Sequence, residues 1–201
     1  MIRTCNTRPL RALAAALLLI TLLSGCGGGD EGVSTASAAT SAGSTGTAQT
    51  STATSTSEHC GIDSFQSAVL AEINRRRASA QTCGSRGSFP AAAALRWNDR
   101  LTTAALGHAQ DMIAKGFFGH TGSNGSSVAD RVRNAGYDWS TVAENIAAGQ
   151  PTVVRVVDAW MNSEAHCANV MNATVEEVGI ACVYNPGNLS NYWVMDLAKA
   201  L

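Results

Sequence analysis

From Gly27 to Ser57 the chain is almost entirely Gly, Ser, Thr and Ala and holds no aromatic residue. Such a run cannot bury enough apolar surface to offset the entropy of ordering its backbone, so it reads as an unfolded tether. This one stretch confines compact structure to the part of the chain after it, from Cys60 on, about 140 residues, enough for one domain with a real core. As a flexible chain of about 33 residues the tether would have a typical reach of about 30 Å. The expected organisation is therefore a leader over 1–25, a tether over 26–59 and a folded domain over 60–201.

Arg3, Arg8 and Arg11 precede an uncharged apolar run from Ala12 to Leu23. A bilayer needs about 20 apolar residues, so this run is too short to span one and reads as the apolar part of an export signal. The segment Leu23-Ser24-Gly25-Cys26 resembles a bacterial lipoprotein signal, and an ordinary signal peptide cut near the same place is the alternative. The resemblance implies lipidation of Cys26 and an anchor in a lipid membrane rather than a spanning helix. Gly27, standing where an acidic residue would retain the protein at the inner membrane, implies the outer membrane, facing the periplasm or cell surface.

The chain carries 14 basic and 15 acidic residues; loss of the three leader arginines leaves 11 against 15, or −4. That balance offers no electrostatic footprint for nucleic acid. The cluster Arg75-Arg76-Arg77 reads instead as a helix end complementing its dipole. Of six cysteines, Cys5 leaves with the leader and Cys26 is the candidate anchor. Cys60, Cys83, Cys167 and Cys182 remain, and in an exported chain disulfides are expected over metal thiolates. Of three possible pairings, the expectation is Cys60 with Cys83 and Cys167 with Cys182. The first requires the chain to fold back, because a helix over 64–78 would be about 22 Å long.

Asp63 with Gln66 has the form of a capping box, and Phe65, Val69 and Ile73 stand at helical spacing after it. Asn98 can cap a second helix whose Leu101, Ala105, His108 and Met112 share a face, with Gly116 ending it. His108 on that apolar stripe is expected to be a hydrogen-bonded structural histidine. A third helix is expected over 126–134. Pro151 suits a first helical turn, and Val153, Val156, Val157 and Trp160 give the next helix one apolar face. After Trp160 the pattern dissolves, which places Glu164, His166 and Cys167 at or just beyond a helix end. Val178–Tyr184 and Tyr192–Leu197 are strand-like runs separated by turn residues and predict an antiparallel hairpin. Helices around such a sheet imply a layered α/β sandwich with limited parallel pairing.

Six segments occur in a telling order: Phe117-Phe118-Gly119-His120-Thr121; Asp130-Arg131 with Ala135-Gly136-Tyr137; Ala143-Glu144-Asn145-Ile146; Trp160 to Met171; Val178-Gly179-Ile180; and Tyr192-Trp193. Together they resemble bacterial members of the CAP superfamily, which includes cysteine-rich secretory proteins, insect antigen 5 and plant pathogenesis-related proteins. The resemblance covers 64–197 and implies a three-layer α-β-α sandwich with a small, mostly antiparallel central sheet. It also implies a cleft lined by two histidines and two glutamates. His120, Glu144 and His166 match three of these; the fourth place holds Ser163, with Glu164 beside it as a potential substitute.

Two imidazoles and a carboxylate are a ligand set that zinc accepts, and a water in the fourth position would make His120, His166 and Glu144 a catalytic metal site. These three are 24 and 22 residues apart, unlike local zinc motifs, so spacing gives the metal no support. The alternative is a hydrogen-bonded cluster at the floor of a binding cleft, which requires no cofactor. Ser163 lies near His166 but no nucleophile elbow surrounds it, and Cys167 is claimed by a disulfide. Asn124, Asn172 and Asn188 open glycosylation sequons that a lipoprotein signal leaves without use. The expectation is a monomeric, exported binding module for a small apolar molecule, a divalent metal or an envelope partner. The alternative is a metal-dependent hydrolase acting on peptide or cell-wall material.

Overall fold

The computed structural model describes residues 59–201; the leader, the proposed lipidation site Cys26 and most of the tether lie outside the described residues. The described chain is a three-layer sandwich, as the family resemblance implied. Its elements run α1 (Phe65–Arg77), β1 (Gln81–Thr82), β2 (Ser88–Phe89), β3 (Arg96–Trp97), α2 (Asp99–Lys115), α3 (Val128–Asn134), β4 (Trp139–Ala148), α4 (Val153–Met161), α5 (Glu164–Met171), β5 (Glu177–Asn185) and β6 (Ser190–Ala200). The middle layer is a four-stranded sheet in the order β3-β5-β6-β4. β5 and β6 form the expected antiparallel hairpin, β4 pairs antiparallel with β6, and only the two-residue β3 runs parallel to β5.

Side chains alternate across the sheet, and the alternation assigns the layers. Val178, Ile180 and Cys182 of β5 with Trp193, Met195 and Leu197 of β6 join the core under α1, α4 and α5. Ala181, Val183, Val194 and Ile146 pack instead on Ala105, Ala109 and Met112 of α2. On this second side the register aligns Glu144, Asp196 and Gly179 in one row across three strands. A Cβ at Gly179 would overlap backbone atoms of Leu101 and Thr102, so the missing side chain is what lets α2 lie on the row.

Helix ends obey local chemistry in part. Asn98 Oδ1 accepts from the amides of Arg100 and Leu101, and Gly116 closes α2 in the left-handed region at φ 67°, as expected. Ser127 and Asp130 form a capping box that starts α3. The box expected from Asp63 and Gln66 does not form: α1 begins after Ser64, whose φ of 50° points the chain away from a capping geometry. Pro151 lies outside α4, which Thr152 caps. The residues expected beyond a helix end instead open a new helix, α5, after a break at Asn162 and Ser163.

The disulfides join Cys60 to Cys182 and Cys83 to Cys167, overturning the expected pairing. α1 is the reason. The thirteen residues of α1, a helix about 20 Å long, lie between the first two cysteines. Each therefore bonds to the second half of the chain: Cys60 to β5, beside a bridge between His59 and Cys182 on the outer edge of that strand, and Cys83 to α5. Arg75, Arg76 and Arg77 likewise part company. Arg75 pairs with Glu72, Arg76 spans Glu72 and Asp158 of α4, and Arg77 is fully buried. Its guanidinium donates to the carbonyls of Ala93, Val170 and Asn172, so the last residue of α1 ties down the C-terminal end of α5.

Candidate functional site

β4 supplies two consecutive polar side chains to opposite faces of the sheet. Asn145, fully buried, donates to the His166 carbonyl at 3.0 Å and accepts from Asn169 Nδ2 at 2.8 Å. Asn169 also reaches the Glu144 carbonyl. These bonds fix α5 against β4, and with it the backbone of His166. The alternation that aims Asn145 at α5 sends Glu144 to the α2 and α3 side.

The Glu144 carboxylate is 2% exposed. His120 Nδ1 donates to its Oε1 at 2.8 Å, and Arg131 Nη2 donates to its Oε2 at 2.5 Å. His108 Nε2, which faces the Gly119 carbonyl at 2.8 Å, stands 3.9 Å from Oε1. A buried carboxylate needs both charge and hydrogen-bond partners, and Arg131 and His120 provide them. The bond at Nδ1 sets the His120 tautomer and leaves Nε2 as a lone pair on a side chain that is 57% exposed. That nitrogen can accept a proton or hydrogen bond from a ligand.

His166 is held below the ordinary imidazole range, first by burial and then by the charge of His120. Ser163 precedes α5 and makes no cap bond. The Glu164 carboxylate bonds Ser85 and lies against Gly84. The residue that stood open as a substitute for the family glutamate is thus a clamp on the segment 84–86.

Three residues that complete the site are not singled out by sequence as parts of it. Arg131 stands out there only within the Asp130-Arg131 pair, and His108 only as structural. Asp196 escapes a sequence reading, although a lone carboxylate inside the apolar run Tyr192–Leu197 is itself a signal. It pairs directly with Glu144 across β4 and β6 and is completely buried. Burial, reinforced by the Glu144 charge and opposed by Arg131, pushes its carboxyl well above the ordinary range. A neutral Asp196 beside an ionised Glu144 is what two adjoining buried carboxyls require.

As placed, Glu144 offers a metal no free oxygen. Both Glu144 oxygens are engaged, one by a guanidinium that a divalent cation would have to displace. Among the described residues no group of three or more His, Cys, Asp or Glu is placed to hold an ion.

One family model matches the chain, CAP: Cysteine-rich secretory protein family, over residues 70–197. The chain belongs to the CAP family. This CAP protein is 32% identical over 132 residues to the uncharacterized protein YkwD of Bacillus subtilis, covering 66% of this chain and 48% of that one. It is 30% identical over 88 residues to the uncharacterized membrane protein YlbC of the same organism, covering 44% of this chain and 25% of that one. The chain thus spans about half the length of the first relative and a quarter of the second. Among solved structures, it aligns with an extracellular SCP-domain protein from Bacillus anthracis at TM-score 0.49 and 25% identity, over 54% of this chain and 34% of that one. It aligns with venom allergen-like protein 4 of Schistosoma mansoni at TM-score 0.47 and 16% identity, over 67% and 88%. No helix among the described residues is long and apolar enough to cross a membrane.

Proposed function

We propose that this CAP domain is an exported, lipid-tethered binding module of the cell envelope, whose His120 cleft takes a small apolar molecule carrying one hydroxyl or similar donor. The observation that carries this reading is the open Nε2 of His120, oriented by a buried Glu144 whose charge Arg131 already neutralises. Two residues before it in sequence, Phe118 is exposed and meets Tyr192 edge-on at 6.1 Å, giving an apolar surface. Export is supported by the leader and by two disulfides, which persist in oxidising compartments. Anchoring at Cys26 in the outer membrane rests on the leader alone. The competing reading, a metal-dependent hydrolase of peptide or cell-wall material, would have to draw its metal ligands from His120 and His166 without Glu144, both of whose carboxylate oxygens are engaged.

Calorimetric titration of the full chain with zinc, and extraction of co-purifying lipid, separate the two. The binding reading expects no zinc isotherm dependent on His120 and a bound lipid lost in His120→Ala and Phe118→Ala. A stoichiometric zinc isotherm abolished by His120→Ala would overturn it in favour of the hydrolase.

A further inference from the structure

The two ends of the sheet differ in kind. At one, the register sets Trp139 of β4 beside Ala200 of β6 and Arg96 of β3 beside Glu177 of β5, and Glu176 pairs with both Arg96 and Lys199. Arg100 and Asp138 line the same end. At the other, Ala148 stands beside Tyr192, and the turn between β5 and β6 closes from Asn185 to Ser190. The segments that meet at this second end, 116–122, 145–154 and 178–195, hold no Lys, Arg, Asp or Glu; Lys115 and Arg155 border two of them.

Contacts tie these segments together. Phe118 meets Tyr192, whose hydroxyl accepts from Asn188 Nδ2 at 3.1 Å. The Gln150 carbonyl accepts from Asn191 Nδ2 and Trp193 Nε1, which holds the approach to α4 against the hairpin. Among the described residues five large apolar side chains are exposed; Phe118, Val154, Tyr184 and Leu189 belong to the uncharged segments, and the fifth, Leu201, ends the chain. Leu189, in the turn itself, is 77% exposed. Tyr184 and Tyr192, an even number of residues apart across the register, take opposite faces of the hairpin, so its apolar character continues round both sides of the turn. Single exposed apolar residues are ordinary, whereas four gathered at one charge-free end mark an interaction surface.

The point where the rest of the chain attaches selects the occupant. His59, the first described residue, bridges to Cys182, which is about 10 Å along β5 from Asn185. The tether read from the sequence therefore joins the domain in the half of β5 that leads to the uncharged end. Held within a tether's reach of about 30 Å, a weak surface suffices, because tethering supplies a high local concentration of its partner. The mature chain's charge of −4 also favours approach to lipid headgroups through an end that lacks carboxylates. Tyrosine rings suit the headgroup level and an aliphatic residue at the turn suits the acyl boundary.

Resting on the lipid-tethered reading proposed above, we infer that the β5–β6 turn, with Phe118 and Val154 beside it, docks onto the phospholipid bilayer that holds the tether. The docking is apolar and does not require anionic lipid.

The test mixes the full chain with phosphatidylcholine vesicles whose acyl chains carry bromine, a contact quencher of tryptophan, and compares them with bromine-free vesicles. A reporter is placed at either end of the sheet, Leu189→Trp or Asp138→Trp. The emission added by Leu189→Trp is expected to fall at least twofold, that added by Asp138→Trp to stay unchanged, and phosphatidylglycerol in the vesicles not to be needed. Phe118→Asp with Tyr184→Asp, both at exposed positions, is expected to abolish the quenching at 189 with the Tm kept; Val154→Asp serves should that pair misfold. The Cys26→Ser chain, measured at rising vesicle concentration, separates docking from anchoring. Quenching at 189 in that chain supports docking whatever becomes of the anchor, whereas mass spectrometry showing no lipid on wild-type Cys26 would overturn the tether reading alone. Docking is refuted by no quenching at 189 in either chain, by equal quenching at 138, by a requirement for phosphatidylglycerol, or by undiminished quenching in the folded aspartate variants. It is refuted equally by an emission shift at 189 that grows with protein concentration in the absence of vesicles, the signature of a second copy on the patch.

Discussion

Replacing Asp196 with Asn tests the charge arrangement under the cleft most directly. The side chain is wholly buried opposite Glu144, and its folded carboxyl keeps its proton far above the ordinary value of 3.8. Below pH 3.8 the folded and unfolded chains both hold that proton, and the contribution of Asp196 to stability is complete. Above it the unfolded chain releases the proton and the folded chain does not, so stability falls by about 1.4 kcal/mol for each pH unit until the folded group titrates. Between pH 5 and pH 7 the native protein therefore loses stability through this group. Asn cannot ionise and keeps the shape, so Asp196→Asn escapes the loss. His108 and His166, both lowered chiefly by burial, act in the opposite sense near the imidazole range, but they are common to both proteins and cancel in the difference. Urea unfolding of the two proteins at pH 5, 6 and 7 measures this difference. Relative to wild type, the variant should gain stability across that span, at a slope of up to about 1.4 kcal/mol per pH unit. A difference that stays flat with pH would mean that Asp196 is ionised in the folded state, and the reasoning about the buried pair would be wrong.

Three further outcomes are expected from the packing. Gly179→Ala drives a methyl into the backbone of Leu101 and Thr102, and chemical denaturation should show a loss of about 2–3 kcal/mol from lifting α2 off the sheet. Arg77→Leu leaves the carbonyls of Ala93, Val170 and Asn172 without their charged donor; a loss of about 2–4 kcal/mol is expected, with hydrogen exchange rising in α5 before α2, and uniform exchange would contradict the proposed anchoring. The Cys83–Cys167 bond closes a separation of 84 residues, for which the chain-entropy relation gives about 4.6 kcal/mol. Cys83→Ala with Cys167→Ala should lower stability by an amount near that figure in equilibrium unfolding, and no measurable change would show the loop to be held by packing alone.

Residues near one another in sequence carried their own information. The spacing of Leu101, Ala105, His108 and Met112, with Asn98 and Gly116 at the ends, located α2 because helical periodicity and end caps are local properties. The hairpin of β5 and β6 was legible for the same reason. The ordered motifs also brought His120 and Glu144 into consideration together, and the two are in direct contact.

What the chain could not disclose by itself is which distant groups meet. The disulfides cross between halves of the molecule because rigid α1 separates neighbouring cysteines, a constraint absent from a linear reading. Glu164 faces Ser85 rather than the cleft because it opens α5, immediately after a break that its pattern did not reveal. Asp196 joins Glu144 only through strand register, and a shift of one residue would send it to the opposite face. Periodicity and caps depend on neighbours within a few residues and so located α2 and the β5–β6 hairpin. Charge pairing, burial and cavity shape depend on how layers stack, and the tertiary structure alone decided them.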